Sequence, residues 1–209
     1  MTSAADKLTD SVAAFIQCGG ESRRLGRDKG SLPLGDTTCI ERVIASARQV
    51  TQDIAVITNT PHAYRYLQLP VYRDIRPGLG PLGGIYTALH YSTSTWVLTL
   101  ACDMPFVSSP LLTALLDRRA DVNVVVPTDR EGSLQPLCAL YRRAIRPAVE
   151  ECLDSGKRSV RDLLDRVTCR VVPFSEIEEL PGSEFFFVDI DTPEDYERAQ
   201  RIFEMLKRA

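Results

Sequence analysis

The stretch that decides the fold begins with residues 11–17, SVAAFIQ, and continues through residues 18–29, CGGESRRLGRDK. A short, continuous apolar run that ends in glycines predicts a strand buried inside a sheet. In open α/β sheets, ligands bind beyond the carboxyl ends of the strands. The sequence therefore predicts a first strand that leads directly into a ligand-binding loop.

This loop carries two kinds of group that suit an anionic ligand. Gly19 and Gly20 lack a Cβ, so the backbone can approach a ligand closely and offer its N–H groups to phosphate oxygens. Arg23, Arg24 and Lys29 add cationic donors to the same loop. Arginine can grip a phosphate bidentately, and lysine acts as a mobile point charge. A glycine turn with solvated charges is the simpler alternative. Neither Gly-x-Gly-x-x-Gly nor the P-loop spacing is present, which argues against those two nucleotide sites.

Outward from this stretch, apolar strands alternate with amphipathic helices. Further strands are predicted at residues 54–58, 71–72, 96–101, 122–126, 135–141 (as an edge strand), 169–172 and 185–188. Helices are predicted at residues 38–47, 61–68, 85–91, 109–116, 143–154, 159–165 and 192–208. This pattern predicts a three-layer, Rossmann-like α/β fold, with a mostly parallel central sheet and helices on both faces. Residues 132–181 break the alternation, so we expect an antiparallel excursion or a small lobe there.

Length and composition bound the class of protein. The chain has 209 residues, of which 44% are hydrophobic and 25% charged, as in ordinary globular proteins. We expect one domain over residues 1–209, with residues 1–10 as a polar tail. Lys and Arg total 25 against 28 Asp and Glu, so no nucleic-acid-binding surface is expected. No apolar run is long enough for a membrane span. The six cysteines form no CxxC pair, which favours reduced thiols in a cytoplasm over a zinc site.

Residues 19–29 resemble the motif with which nucleotidyltransferases bind NTPs, and more narrowly that of the MobA family, the molybdenum cofactor guanylyltransferases. Four further matches follow in the family's order: GPLGGI at 80–85, CDMPF at 102–106, QPLCALY at 135–141 and DIDTPED at 189–195. The resemblance covers residues 12–200 approximately. It implies a single nucleotidyltransferase domain with the fold of the nucleotide-diphospho-sugar transferases, and residues 132–181 as its acceptor-binding part.

The resemblance also implies an activity. The family transfers GMP from GTP to Mo-molybdopterin, which gives the guanine dinucleotide form of the cofactor and pyrophosphate. The attacking group is a phosphate that is already anionic, so positioning and charge neutralisation suffice and no general base is needed. The implied cofactor is Mg²⁺, the implied state is a monomer, and the implied recipients of the product are molybdoenzymes or their chaperones.

Site residues carry over from the family position by position. Lys29, Arg23 and Asp103 are the expected catalytic residues, with Asp103 as the Mg²⁺ ligand and Asp189 as a second one. The expected nucleotide-binding residues are Gln17, Cys18, Gly19, Gly20, Lys29, Asn59, Asp74, Gly80, Gly83 and Asp103. The family commonly has asparagine at the positions of Asp189 and Asp191, so helix capping and turn formation are alternatives for these two.

The chain departs from the family just before the paired glycines, where Gln17 and Cys18 replace a usual Leu-Ala pair. Gln17 can add or block a hydrogen bond to the base, which leaves a cytidylyltransferase or another NTP transferase as an alternative. A nucleotide-binding module without catalysis is the second alternative. In the acceptor part, Lys157, Arg158 and Arg161 offer positive charge for the pterin phosphate, unless they form only a solvated helical face.

Overall fold

The computed structural model describes residues 11–19 and 28–208. The strands are β1 Val12–Cys18, β2 Pro33–Leu34, β3 Thr37–Thr38, β4 Ile54–Thr58, β5 Val71–Tyr72, β6 Trp96–Ala101, β7 Val124–Pro127, β8 Cys138–Arg142 and β9 Cys169–Val172. The α-helices are α1 Cys39–Ala47, α2 Gly80–Tyr91, α3 Ser109–Leu116, α4 Arg146–Asp154, α5 Val160–Leu164 and α6 Pro193–Arg208. None of these helices is long and apolar enough to cross a membrane.

The main sheet has the strand order β5-β4-β1-β6-β8-β7-β9. Strand β1 pairs in parallel with β4 on one side and with β6 on the other, so that Gln17 lies between Ile57 and Ala101. Parallel pairing also joins β4 to β5 and β7 to β9, whereas β8 runs antiparallel to both of its neighbours. The carboxyl ends of β1, β4 and β6 therefore meet at one edge of the sheet, as the sequence predicts.

Helices cover both faces of the sheet, which confirms the three-layer prediction. Because side chains alternate along a strand, Ala14 and Ile16 of β1 face one core cluster, which includes apolar residues of α1 and α3. Ala13 and Phe15 face the other, which includes residues of α2, α4 and α5. A third, smaller cluster joins β2, the chain after β6 and α6.

Strand β8 is not the edge strand that the sequence predicts. It lies inside the sheet between β6 and β7, and Cys138 to Tyr141 are all buried. The edge assignment came from Pro136, which has no N–H to donate to a neighbouring strand. Pro136 lies just before the paired segment, and its carbonyl accepts hydrogen bonds from Thr99 (3.0 Å) and Tyr141 (2.9 Å).

The predicted strand at 185–188 is also wrong. A 3₁₀ helix covers Ser183–Phe185, and the backbone N–H of Val188 bonds locally to the carbonyl of Phe185 at 3.1 Å. Phe186 is completely buried all the same. A short apolar run indicates that a segment is buried, but burial alone does not distinguish a strand from a packed turn.

The central strand should carry much of the stability. We expect Leu98→Ala in β6 to lower the free energy of unfolding by about 2–5 kcal/mol, because it removes a fully buried side chain and leaves a cavity. Val171→Ala in the edge strand β9 is the matched control, since Val171 is 38% exposed. Urea denaturation would measure both, and equal losses in the two variants would contradict this account of the core.

Candidate active site

The Lys29 ammonium lies at the centre of a charged cluster at the carboxyl edge of the sheet. It donates one hydrogen bond to Asp103 Oδ2 at 3.0 Å and another to Asp191 Oδ1. Asp103 follows β6, and Asp191 lies just before α6. The side chains of Lys29 and Asp103 are each 20% exposed. Asp103 and Asp191 follow Lys29 by 74 and 162 positions in the sequence, and the fold brings both carboxylates to this one ammonium.

A tight turn places Lys29 in this position. Residues Lys29–Ser31 form a 3₁₀ helix whose first N–H groups are capped by Asp28, which accepts from Gly30 N at 3.1 Å and from the Tyr64 hydroxyl. A Cβ on Gly30 would lie 2.7 Å from the Tyr64 hydroxyl oxygen and 3.3 Å from Cys102. Because residue 30 is glycine, the turn can pack closely against Cys102 at the start of the Asp103 loop. Burial, above all, raises the pKa of Tyr64 far above its usual value, so its hydroxyl stays protonated and donates to Asp28.

The third carboxyl group of the cluster belongs to Asp189. The peptide N–H of Ile190 donates to the Asp103 carbonyl at 3.1 Å, which ties the two loops together. Partial desolvation, followed by the negative charges of Asp191 and Asp103, raises the pKa of Asp189. Burial lowers the pKa of Lys29, but its bonds to Asp191 and Asp103 outweigh that effect and the net shift is upward. Among the described residues, the cluster therefore holds three neighbouring carboxyl groups, two of which bind the Lys29 ammonium, and its negative charge would favour a further cation.

A capping box fixes the Asp191 loop at the start of α6. The carboxylate of Asp195 accepts hydrogen bonds from Thr192 N (2.9 Å), Thr192 Oγ1 (2.8 Å) and Asp191 N (3.2 Å). Asp195 N in turn donates to Thr192 Oγ1 at 3.2 Å. The Thr-x-x-Asp spacing of residues 192–195 is the sequence signal of this reciprocal cap.

The other side of β1 forms a second, largely uncharged part of the site. Helix α2 begins at Gly80 rather than at residue 85, where the sequence predicts its start, so Gly80 to Gly84 form its first turn. The Gln17 side chain packs on Gly84 so closely that a Cβ there would lie 2.0 Å from Gln17 Oε1 and would force the amide to move. Gln17 Nε2 is buried and has no hydrogen-bond partner among the described residues. A ligand atom that accepts a hydrogen bond would remove this cost.

Asp74 lies beside the same glycines. Its Oδ1 accepts hydrogen bonds from Thr87 Oγ1 at 2.7 Å and from Arg76 N at 3.2 Å. Its Oδ2 would be 3.7 Å from a Cβ on Gly83, so the carboxylate faces the start of α2. Thr87 also donates to the Gly83 carbonyl and accepts from Ile75 N, each at 3.1 Å. Sequence reasoning missed Thr87, although its place one helical turn after Gly83 is a signal for such a contact.

The remaining expected site residues are distributed unevenly. Cys18 and Gly19 lie at the end of β1, and Asn59 is exposed directly after β4. Gly80 has a φ of +65° and open space around it. Gly20 and Arg23 lie outside the described residues.

The hydrogen bond with Cys18, followed by burial, raises the pKa of the Cys102 thiol well above its ordinary value. That thiol is therefore protonated, as expected of a small buried cysteine rather than a nucleophile.

The acidic loops after β6 and before α6 offer the carboxylates that could hold a metal ion at this centre. Over residues 11–19 and 28–208, no group of three or more His, Cys, Asp or Glu side chains is arranged to hold a metal ion by itself. Carboxylate oxygens are nonetheless the donors that Mg²⁺ prefers, and Mg²⁺ usually takes one or two of them together with substrate phosphates and water. The donor set fits a metal that binds with a nucleotide better than one bound permanently.

Comparison with known proteins identifies relatives over most of the chain. A profile of the MobA-like NTP transferase domain matches residues 14–171. A probable molybdenum cofactor guanylyltransferase of Carboxydothermus hydrogenoformans is 35% identical over 194 residues, which cover 93% of this chain and 98% of the relative. Another from Clostridium perfringens is 34% identical over 188 residues, covering 88% of this chain and 94% of the relative.

Solved structures share the fold. Molybdopterin-guanine dinucleotide biosynthesis protein A from Archaeoglobus fulgidus superposes with a TM-score of 0.78 at 24% identity, over 92% of this chain and 99% of that one. A cytidylyltransferase from Leptospira borgpetersenii superposes with a TM-score of 0.68 at 17% identity, over 93% and 87% of the two chains. The architecture is thus common to transferases of different nucleotides, and it does not by itself select the base.

The capping box predicts a pH-dependent stability. Its hydrogen bonds, first those from Thr192, hold the pKa of Asp195 below its usual value. Because the folded-state pKa is depressed, the stabilisation is present above the ordinary Asp pKa of about 3.9 and is lost as the pH falls through the lower, folded value. We expect Asp195→Ala to lower the free energy of unfolding at neutral pH by about 1 kcal/mol. The difference from the wild type should shrink in acid.

Glu194→Ala is the control, since this neighbouring side chain is exposed. Urea denaturation at neutral and acidic pH would measure all three proteins. A loss in Asp195→Ala that is independent of pH, or an equal loss in Glu194→Ala, would contradict the role of the cap.

Proposed function

The chain belongs to the MobA-like NTP transferase family, and from this premise we propose that it transfers GMP from GTP to the terminal phosphate of Mo-molybdopterin and releases pyrophosphate. The observation that carries the proposal is the contact of Lys29 with Asp103 at the carboxyl edge of β1 and β6. The pairing brings a phosphate-binding cation and a metal-binding carboxylate together. The family relationship supplies the substrates.

The reaction joins two polyanions, so charge neutralisation is the main task of the site. Lys29 would exchange its two carboxylate partners for the triphosphate, and the backbone N–H groups of Gly19 and Gly20 would bind the same phosphates. Arg23 is proposed as a further cation of this loop. Mg²⁺ held by Asp103, with Asp189 as a second ligand, would offset the charge that develops on the phosphates.

The base and ribose would bind on the α2 side of β1. Gln17 offers an amide N–H that no described residue accepts, and Asp74 offers a carboxylate that can accept from hydroxyl or amino groups. Cys18, Gly80 and Gly83 would contribute backbone and space, with Asn59 at the margin. The amide at position 17 is also the observation that keeps a cytidylyltransferase as a second candidate, because an amide can hydrogen-bond to either base.

The acceptor would bind along residues 132–181, which supply β8, α4, α5 and β9. Lys157, Arg158 and Arg161 are proposed to meet the pterin phosphate, although Lys157 now forms an ion pair with Asp162 at 3.4 Å. We propose further that the chain acts as a monomer and one domain in the cytoplasm, and delivers its product to molybdoenzymes or their chaperones.

The charged cluster predicts which variants lose activity. Asp103→Asn and Lys29→Ala should each reduce GTP-dependent pyrophosphate release at least about a hundredfold, because each removes a charge that acts on the phosphates. Lys207→Ala, an exposed change near the end of α6, is the control and should keep full activity. The assay needs Mg²⁺, GTP and Mo-molybdopterin, with circular dichroism to verify folding. Near-wild-type turnover of either site variant would remove that residue from the mechanism.

Nucleotide choice is a separate prediction. GTP with Mg²⁺ should raise the melting temperature more than CTP, ATP or UTP, and Gln17→Leu should weaken GTP binding about tenfold by removing the amide. Stabilisation by CTP alone would overturn the guanylyl assignment. Binding of GTP without any product in a single-turnover assay would instead favour a nucleotide-binding module.

A further inference from the structure

A second cleft lies between α1, the loop after β6 and the end of α6. Its volume is about 410 Å³, within the range of sites for small molecules. The residues that matter in its lining are Glu41 and Arg42 of α1, Phe106 and Ser108 of the loop, Phe185, and Leu206 of α6. None of them is among the proposed nucleotide-binding residues. The loop from Asp103 to Ser108 separates this cleft from the charged cluster at Lys29.

Arg42 is a cation with no ion-pair partner among the described residues. Its guanidinium packs over the ring of Phe203, with 4.8 Å from Cζ to the ring centroid. Its Nε is buried and finds no acceptor among the described residues, and the same residues supply no ion pair to it. Arginine stays charged under all ordinary conditions, and a half-buried charge with an unused N–H costs free energy. Burial, accordingly, lowers the pKa of Arg42.

The Ser108 hydroxyl is the second polar group of the cleft that has no hydrogen-bond partner in the described part of the chain. It occupies the N-cap position of α3, where a serine side chain normally accepts a hydrogen bond from the helix. Here it makes no such cap, and its buried Oγ has no partner in the described part of the chain. Ser46 lines the same cleft and donates to the Val107 carbonyl at 2.7 Å. The Ser46 hydroxyl therefore has an acceptor in this wall. The Ser108 hydroxyl has none among the described residues and can donate to a ligand.

The rest of the lining limits the ligand to one negative charge and an apolar body. The rings of Phe106 and Phe185 lie 6.1 Å apart between centroids, and Leu206 is 42% exposed. Glu41 lines the same cleft and accepts two hydrogen bonds from Thr38, at 2.7 and 2.8 Å. Repulsion from Glu41 is greater for a dianion such as phosphate than for a monocarboxylate, and a single carboxylate is enough to pair with the Arg42 guanidinium.

We propose that this cleft binds a monocarboxylate with an aromatic or aliphatic body. The carboxylate pairs with the Arg42 guanidinium and accepts from the Ser108 hydroxyl, and the apolar body lies against Phe106, Phe185 and Leu206. This chemistry belongs both to free carboxylic acids and to the carboxyl terminus of a peptide that ends in an apolar residue.

The test is calorimetric titration of the full chain with two matched pairs of probes. One pair is 3-phenylpropionate and its neutral amide, and the other is acetyl-Gly-Phe with a free or an amidated carboxyl group. We expect the acid of at least one pair to bind at least about tenfold more tightly than its amide, since an ion-paired hydrogen bond is lost in the amide. Binding of the free acid alone identifies a small-molecule site, and tighter binding of the peptide acid identifies a peptide terminus.

Three variants locate the binding. Arg42→Gln should weaken binding of the acid at least about tenfold, and Ser108→Ala by a smaller factor. Arg48→Gln removes an exposed charge from the end of the same helix and should bind as the wild type does. Thermal melting verifies that the variants are folded. The proposal is overturned if neither acid binds at millimolar concentration, if acid and amide bind equally, or if Arg42→Gln binds as well as Arg48→Gln.

Discussion

The ion pair of Lys29 with Asp103 and Asp191 is the interaction on which the site depends. It joins the turn after the first strand, the loop after the central strand and the loop before the last helix. These segments are far apart in sequence, and without ligands this cation is their shared partner. Within the described part of the chain, this cluster has more carboxylates than ammonium groups, so its charge is not balanced there. In the proposed reaction, the triphosphate would replace the carboxylates as the partner of Lys29, and Mg²⁺ would balance the charge of the carboxylates that Lys29 leaves.

The two sides of β1 differ in electrostatic character, and we assign the phosphates to one side and the base to the other. Lys29 and the three aspartates lie on one side, where charge must be balanced. On the other side, residues Leu82 to Leu89 of α2 are all buried, and Gln17 and Asp74 present only a few polar atoms. A rigid, sparsely polar wall suits discrimination between flat heterocycles, because an unpaired buried group penalises the wrong one.

Much of this architecture follows from the sequence, and the exceptions have physical reasons. Strands β1, β4 and β6 are predictable because each is a continuous apolar run in a parallel sheet. The start of α2 is not, since two glycines oppose a helix unless tertiary packing requires them. Phe186 and Val188 are buried in a turn, which the apolar pattern cannot separate from a strand. Lys29 and Asp103 are expected from the family motif, but the contact of Lys29 with Asp191 crosses 162 residues and depends on the whole fold.

The close packing of Gly84 on Gln17 has an evolutionary consequence. An added Cβ would lie 2.0 Å from the amide oxygen of Gln17, so a side chain at position 84 would displace that amide from its present place. A lineage that gained a side chain at position 84 would have to reorient or shorten residue 17. This is epistasis imposed by sterics, in which the effect of a substitution at one position depends on the residue at the other.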